Sequence, residues 1–298
     1  MKSFIRSTLS SLFYFANLLR RRGGIVVLMY HRINDDLPPN DLVTPVKVFK
    51  KQMQYLRDHH DVIDLKKFIE LMNAYLSGEP PAGRHMVITF DDGYRDNYLH
   101  AFPILREYVL PATIFLTTGM ISTDKKRPRY QHMPDPDMLN WEEVKTMAQS
   151  GISFGAHTDS HPHLSQLSYA EQKLELSKSI NTLIEKFSLS RDSAERLIFC
   201  YPYGDYNQDT LKIMKELGIK IAFTVKPGIN SRPILPLELR RTEINGIDTL
   251  FDFKKKLGGG FDWLHGQIQS AKARRTRLSG HQGNPGLGDQ VIRRSGTK

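Results

Sequence analysis

Met86-Val87-Ile88-Thr89-Phe90-Asp91-Asp92-Gly93 is an almost wholly apolar run that ends in two adjacent carboxylates and a glycine. A strand that is apolar at successive rather than alternate positions is buried on both faces, as in a parallel sheet covered by helices. Comparable runs stand at 25–30, 112–117, 153–157, 197–201 and 219–225, besides 86–91 itself. Between them a 3.6-residue rhythm predicts helices near 97–108, 141–149, 168–187 and 207–217. Thr44-Pro45 predicts another helix start, a capping side chain followed by proline in the first turn. Asn207 is placed to cap the last of these helices and Gly218 to end it. Strand alternating with helix defines an α/β protein, and six or more such units favour a barrel over an open sheet.

Outward from this core the composition is that of a soluble globular protein: 298 residues, 40% hydrophobic and 25% charged. No apolar run reaches the roughly 20 residues that span a bilayer. The single cysteine, Cys200, excludes an internal disulfide and any zinc site with several cysteine ligands. The net charge of +10 is unevenly spread: residues 1–24 carry +5 and residues 271–298 carry +6, which leaves −1 on 25–270. A neutral body offers no basic stripe to track phosphates, so nucleic acid is not an expected partner.

These shifts divide the chain into three parts. Residues 1–24 hold an amphipathic tract in which Ile5, Leu9, Leu12, Ala16 and Leu19 recur at helical spacing, closed by Arg20-Arg21-Arg22. Arginines stand where a small-residue cleavage site would be, so the tract is not read as a cleaved signal. Two readings stay open: a helix lying at an anionic membrane surface through residues 1–22, or one packed on its own domain. Residues 25–270 form one α/β domain. Residues 271–298 are rich in Arg, Gly, Ser and Gln, a composition that does not bury enough surface to order itself. The expected localisation is cytoplasmic or membrane-associated, with the cell envelope as the alternative. The polar segment 122–140 is predicted to be a long loop over one end of the barrel.

Three constellations follow predicted strands, where a parallel α/β fold places its active site. Asp91 and Asp92 supply the pair that hydrolytic metal chemistry needs, one carboxylate on the ion and one free to take a proton. The plainer reading is a turn, since Asp-Gly is a common turn pair. His157-Thr158-Asp159-Ser160-His161-Pro162-His163 places histidines four apart, which face one ion if the backbone turns helically. Pro162 redirects the chain before His163, which ranks below the other two; the plainer reading is a histidine-rich polar loop. In Tyr201-Pro202-Tyr203-Gly204, rigid Pro202 and flexible Gly204 are able to aim a backbone N–H at a substrate oxygen. Taken alone, an aromatic turn is the better reading there.

In this order, Thr-Phe-Asp-Asp-Gly, His-Thr-x-x-His and Tyr-Pro-Tyr-Gly resemble the polysaccharide deacetylases with the NodB-homology domain, carbohydrate esterase family four, over about residues 25–265. The resemblance implies a single-domain distorted (β/α) barrel and metal-dependent removal of acetyl groups from sugars. It implies that Asp92, His157 and His161 ligate the metal, that Asp91 is the base and that the Tyr203 N–H helps hold the oxyanion. Two departures matter. The family's third motif usually begins with an arginine that orients the base, and here that position is Cys200. The usual late histidine is not evident either, and Trp263-Leu264-His265 matches it poorly. A branch with Tyr-Pro-Tyr-Gly carries instead an early Tyr-His, here Tyr30-His31, which makes His31 the implied general acid. Arg241 is similar to a late arginine of that branch, and so a source of positive charge near Asp91.

The expected function is therefore metal-dependent hydrolysis of N-acetyl groups on an acetylated carbohydrate, a sugar polymer or lipid-linked glycan. An O-acetyl esterase or a non-catalytic carbohydrate-binding protein are the alternatives. One carboxylate and two imidazoles suit zinc best, and an open mixed site also takes cobalt or nickel.

Overall fold

The computed structural model describes residues 23–79, 83–123, 137–188, 198–231 and 233–259. The tract 1–22, the tail 271–298 and Trp263-Leu264-His265 lie outside them. In chain order the strands are β1 (Gly24–Tyr30), β2 (Arg32–Ile33), β3 (Val43–Thr44), β4 (Asp61–Val62), β5 (Arg84–Phe90), β6 (Thr113–Leu116), β7 (Ser153–Ala156), β8 (Ile198–Cys200), β9 (Ile221–Phe223) and β10 (Thr242–Glu243). The helices are α1 (Val46–His59), α2 (Leu65–Leu76), α3 (Phe102–Tyr108), α4 (Trp141–Gln149), α5 (Tyr169–Lys186), α6 (Gln208–Glu216) and α7 (Leu250–Leu257).

The main sheet is parallel and runs β10-β1-β5-β6-β7-β8-β9, with β4 also on β5. Its ends meet through Leu239, which bonds Ala222 and Thr224 beside β9 at 2.9 and 2.8 Å just before the chain enters β10. The sheet is thus curled into a distorted barrel. Apolar residues at successive strand positions serve two cores. Val26, Leu28, Tyr30, Met86, Ile88, Phe90, Ile114 and Leu116 pack outward under the helices. Ile25, Val27, Val87, Phe115, Ile198, Cys200, Ile221 and Phe223 fill the interior with Phe68 and Met72 of α2.

This two-residue alternation positions the chemistry. Continued past Ile25, Val27 and Val87, the same parity turns His31 and Asp91 inward. The β1–β5 register, Tyr30 opposite Phe90, sets the two side by side.

The predicted strands are present with ends shifted by one to two residues: β1 and β5 start earlier than predicted, and β6, β7, β8 and β9 are shorter. Four helix starts carry reciprocal capping boxes: Asn140 with Glu143, Ser168 with Glu171, Asn207 with Thr210, and Thr249 with Asp252. Gly218 ends α6 with φ 72°. The Thr44-Pro45 start needs correction. Thr44 belongs to β3, Pro45 is the cap residue without a side-chain bond, and the carboxylate of Asp35 accepts from Val46 N at 2.9 Å instead. The helix expected near 97–108 opens with one wide π turn, Asn97–Ala101, before α3. In segment 122–140 the described ends are tied together, Ser122 N donating to Leu139 O at 3.0 Å.

Candidate active site

Asp91 sits one residue beyond β5, buried, and both of its oxygens are taken by Arg241. Nη1 to Oδ1 is 2.6 Å and Nη2 to Oδ2 is 2.7 Å, a two-pronged pairing that fixes the carboxylate's plane. Arg241 is itself fully buried; its Nε donates to Thr224 O at 2.9 Å and its Nη2 lies 2.9 Å from Cys200 Sγ. Burial alone would raise the Asp91 pKa, but Arg241 outweighs it and pulls the carboxyl down to about 2. The guanidinium pKa moves up in the same exchange. Cys200, where an arginine was expected from the family pattern, keeps its thiol, pushed well up by burial, between Arg241 and Asp91. The positive charge therefore arrives from the residue that directly precedes β10. His31 Nε2 stands 4.0 Å from Asp91 Oδ2, beside it but beyond hydrogen-bond length.

Asp92 points elsewhere. Strand alternation would send it outward, but its φ of 78° and that of Gly93, 83°, swing the carboxylate back over the barrel end. Glycine is required at 93, because a Cβ there would lie 2.8 Å from Leu116 Cδ2. Asp92 Oδ1 lies 3.4 Å from His157 Nε2 and 3.1 Å from His161 Nε2, all three residues being buried.

The two histidines reach Asp92 by a route other than the helical turn expected from their spacing. Thr158 and His161 both adopt left-handed backbone, φ 65° and 63°. Such conformations cost about 1–3 kcal/mol each in non-glycine residues. The loop is braced to hold them. Thr158 Oγ1 accepts from His161 N at 2.9 Å. Glu175 on α5 accepts from Asp159 N, Ser160 N and Ser160 Oγ at 3.0, 2.9 and 2.7 Å.

Asp92, His157 and His161 offer ligand atoms within 4.8 Å of one another, and so do Asp91, His157 and Cys200. The first set fits a divalent ion. His157 Nδ1 lies 2.7 Å from Cys200 O, so in the neutral ring Nδ1 is the donor and Nε2 turns a lone pair toward Asp92. Two acceptors facing each other in a buried site suit a shared cation. The second set does not fit, because Arg241 already holds Asp91 and Cys200 with its own positive charge.

Tyr203 has φ 58° and ψ 7° within the turn Pro202–Gly204, and its ring lies 4.5 Å from that of His161. The turn thus borders the cluster. His163 faces away from the cluster: its ring stacks on Tyr203 at 4.0 Å and its Nδ1 is 3.9 Å from Asp205. Glu175, Arg32, Asp96 and Asn97 escaped the sequence reading. Asn97 Nδ2 donates to His31 O at 2.8 Å, and Asp96 accepts from Arg32 Nε at 2.7 Å. The sequence signal of Arg32, Asp96 and Asn97 is only polarity near a motif, and that of Glu175 only a charge on a helix, which surface residues share.

Comparisons with known proteins bear on the family and the fold. The family profile described as polysaccharide deacetylase matches residues 78–222. The YxkH protein of Bacillus subtilis, assigned to the polysaccharide deacetylases, is 33% identical over 219 residues, covering 74% of this chain and 71% of that one. A poly-β-1,6-N-acetyl-D-glucosamine N-deacetylase of Staphylococcus epidermidis is 29% identical, over 69% of this chain and 73% of its own. Among solved structures, the Streptococcus pyogenes deacetylase PplD in complex with acetate superposes with TM-score 0.66 at 28% identity, covering 78% of this chain and 98% of its own. The chain belongs to the polysaccharide deacetylase family.

Proposed function

We propose that the chain is a metal-dependent N-deacetylase, a hydrolase of carbon–nitrogen bonds other than peptide bonds, acting on a polymer of N-acetylated amino sugar. The observation that carries this reading is the juxtaposition of two differently equipped aspartates. Asp92 stands among imidazoles at 3.1 and 3.4 Å, and Asp91 is clamped by Arg241 at 2.6 and 2.7 Å. The Staphylococcus epidermidis relative, named as an N-deacetylase, supports the choice of an amide substrate.

Asp92, His157 and His161 would hold the ion, with zinc best suited to one carboxylate and two imidazoles. When bound, a divalent ion polarises the acetyl carbonyl and lowers the pKa of water. Asp91 takes the proton as the water oxygen attacks the carbonyl carbon. Arg241 keeps Asp91 ionised and aimed; a carboxyl near 2 is a weak base, so its contribution is placement more than basicity. The Tyr203 N–H, set by its left-handed backbone, donates to the developing oxyanion. His31 protonates the departing nitrogen as the C–N bond breaks, releasing acetate and the free amine.

The test is acetate release from N-acetylglucosamine oligomers by the zinc-loaded protein. We expect turnover that a chelator abolishes and added zinc restores. Release only from O-acetylated sugars would replace the reading by an esterase; release from neither, at full metal content, would overturn it.

A further inference from the structure

Glu175 lies on α5, a helix that supplies no ligand, yet its half-buried carboxylate takes three hydrogen bonds from the segment between His157 and His161. One turn on, Lys178 Nζ lies 2.9 Å from Asp159 Oδ2. From the opposite side Gly119 N donates to Asp159 O at 2.9 Å and Thr118 N to Thr158 O at 3.1 Å. Gly119 allows this approach, since a Cβ there would fall 2.7 Å from Asp159 O. The segment is gripped from two sides, and what it holds is unfavourable by itself: left-handed backbone at Thr158, which is β-branched, and at His161.

We propose that Glu175 is a positioning residue for the metal, its three bonds holding the His157–His161 segment in the ligand-competent conformation before any ion arrives. The inference rests on the metal site proposed above. A carboxylate that accepts from two consecutive backbone N–H groups and a hydroxyl fixes the peptide planes just before His161, and so the direction in which His161 leaves the backbone. Without it the left-handed residues relax, and only a fraction of molecules presents both imidazoles to Asp92. Apparent metal affinity falls by that fraction. Partners that orient metal ligands are typically worth about 10- to 100-fold in affinity.

The measurement is the zinc dissociation constant of the full chain by competition with a chromophoric chelator, with acetate release across the same titration. Glu175→Ala should bind zinc about 10- to 100-fold more weakly and recover most of its turnover at saturating zinc. Glu175→Gln, which keeps the shape and one acceptor, should fall between it and the parent. Leu183→Ala removes a buried contact from the same helix; it should lower the melting temperature and leave zinc affinity unchanged. Affinity in Glu175→Ala equal to the parent's, or lowered no more than in Leu183→Ala, overturns the proposal. If Glu175→Ala does not fold, parental affinity in Glu175→Gln does the same. His161→Ala separates the two claims: full zinc binding there removes the metal site itself, whereas its loss beside parental affinity in Glu175→Ala removes only the brace.

Discussion

At the scale of single residues, Asp91 and Asp92 are identical in type and adjacent, and their surroundings part them. Asp91→Asn should keep its zinc and lose about 100-fold or more in turnover, with no recovery on adding metal. Asp92→Asn should lose metal affinity and regain part of its rate with excess zinc. Bound metal and acetate release across a zinc titration check both, and the opposite pattern would exchange the roles. Arg241 makes a further contrast. Because the Asp91 carboxyl is held below its ordinary 3.8, its pairing stabilises the fold above about pH 4 and is lost as the pH falls towards about 2. Replacing Arg241 with Met removes the main opposition to burial and leaves only the weaker pull of His157 and His31, so the carboxyl moves up and the acid limb of kcat/KM shifts to higher pH. The uncompensated buried charge should also cost about 3–5 kcal/mol in urea unfolding. An unmoved pH profile in Arg241→Met would separate Arg241 from the base.

At the scale of elements, the turn after β8 acts in the proposed mechanism through its backbone. Gly204 has φ 65°, and a Cβ there would meet Val225 Cγ2 at 2.4 Å. Gly204→Ala should therefore displace the Tyr203 N–H. We expect a fall in kcat with little change in KM, unaltered metal content and a loss of about 1–3 kcal/mol in unfolding free energy. Unchanged kcat would detach this turn from the oxyanion. Six strands and five helices are legible in the sequence, because burial on both faces and capping side chains are local signals; α2 and α7 go unread. The short β2, β3, β4 and β10 are not legible: two residues carry no periodicity, and they pair only because the chain around them brings them into line. Nor does spacing alone say how His157 and His161 meet. Four residues suggest a helical turn, whereas the bonds to Glu175 stabilise two left-handed residues instead.

At the scale of the whole molecule, the barrel gathers residues that are remote in the chain. Arg241 and Asp91 are 150 positions apart, Cys200 and Asp91 109. For residues 1–22, outside the described residues, the membrane-surface and packed-helix readings both stay open. The prediction from their amphipathic, basic sequence is that a chain lacking them leaves anionic vesicles in a flotation assay while turnover of a soluble oligomer persists. A truncated chain that is insoluble or unfolded would show that the tract packs on its own domain.

Local chemistry is what the sequence by itself determined: six apolar strands, their alternation with helices, the three motifs and the family resemblance they carry. Hydrophobic periodicity and capping act between neighbours in the chain, so they can be read without a fold. The arrangement of charge around Asp91 was decided only by tertiary structure. Cys200 occupies the position where the family's usual motif has an arginine, and the sequence offered Arg241 as its substitute only by resemblance. Closure of β10 against β1 is what carries the guanidinium to within 2.7 Å of the carboxylate. The brace from Glu175 is likewise a matter of packing, since one helical glutamate among several acquires a role only from the loop that the barrel sets against it.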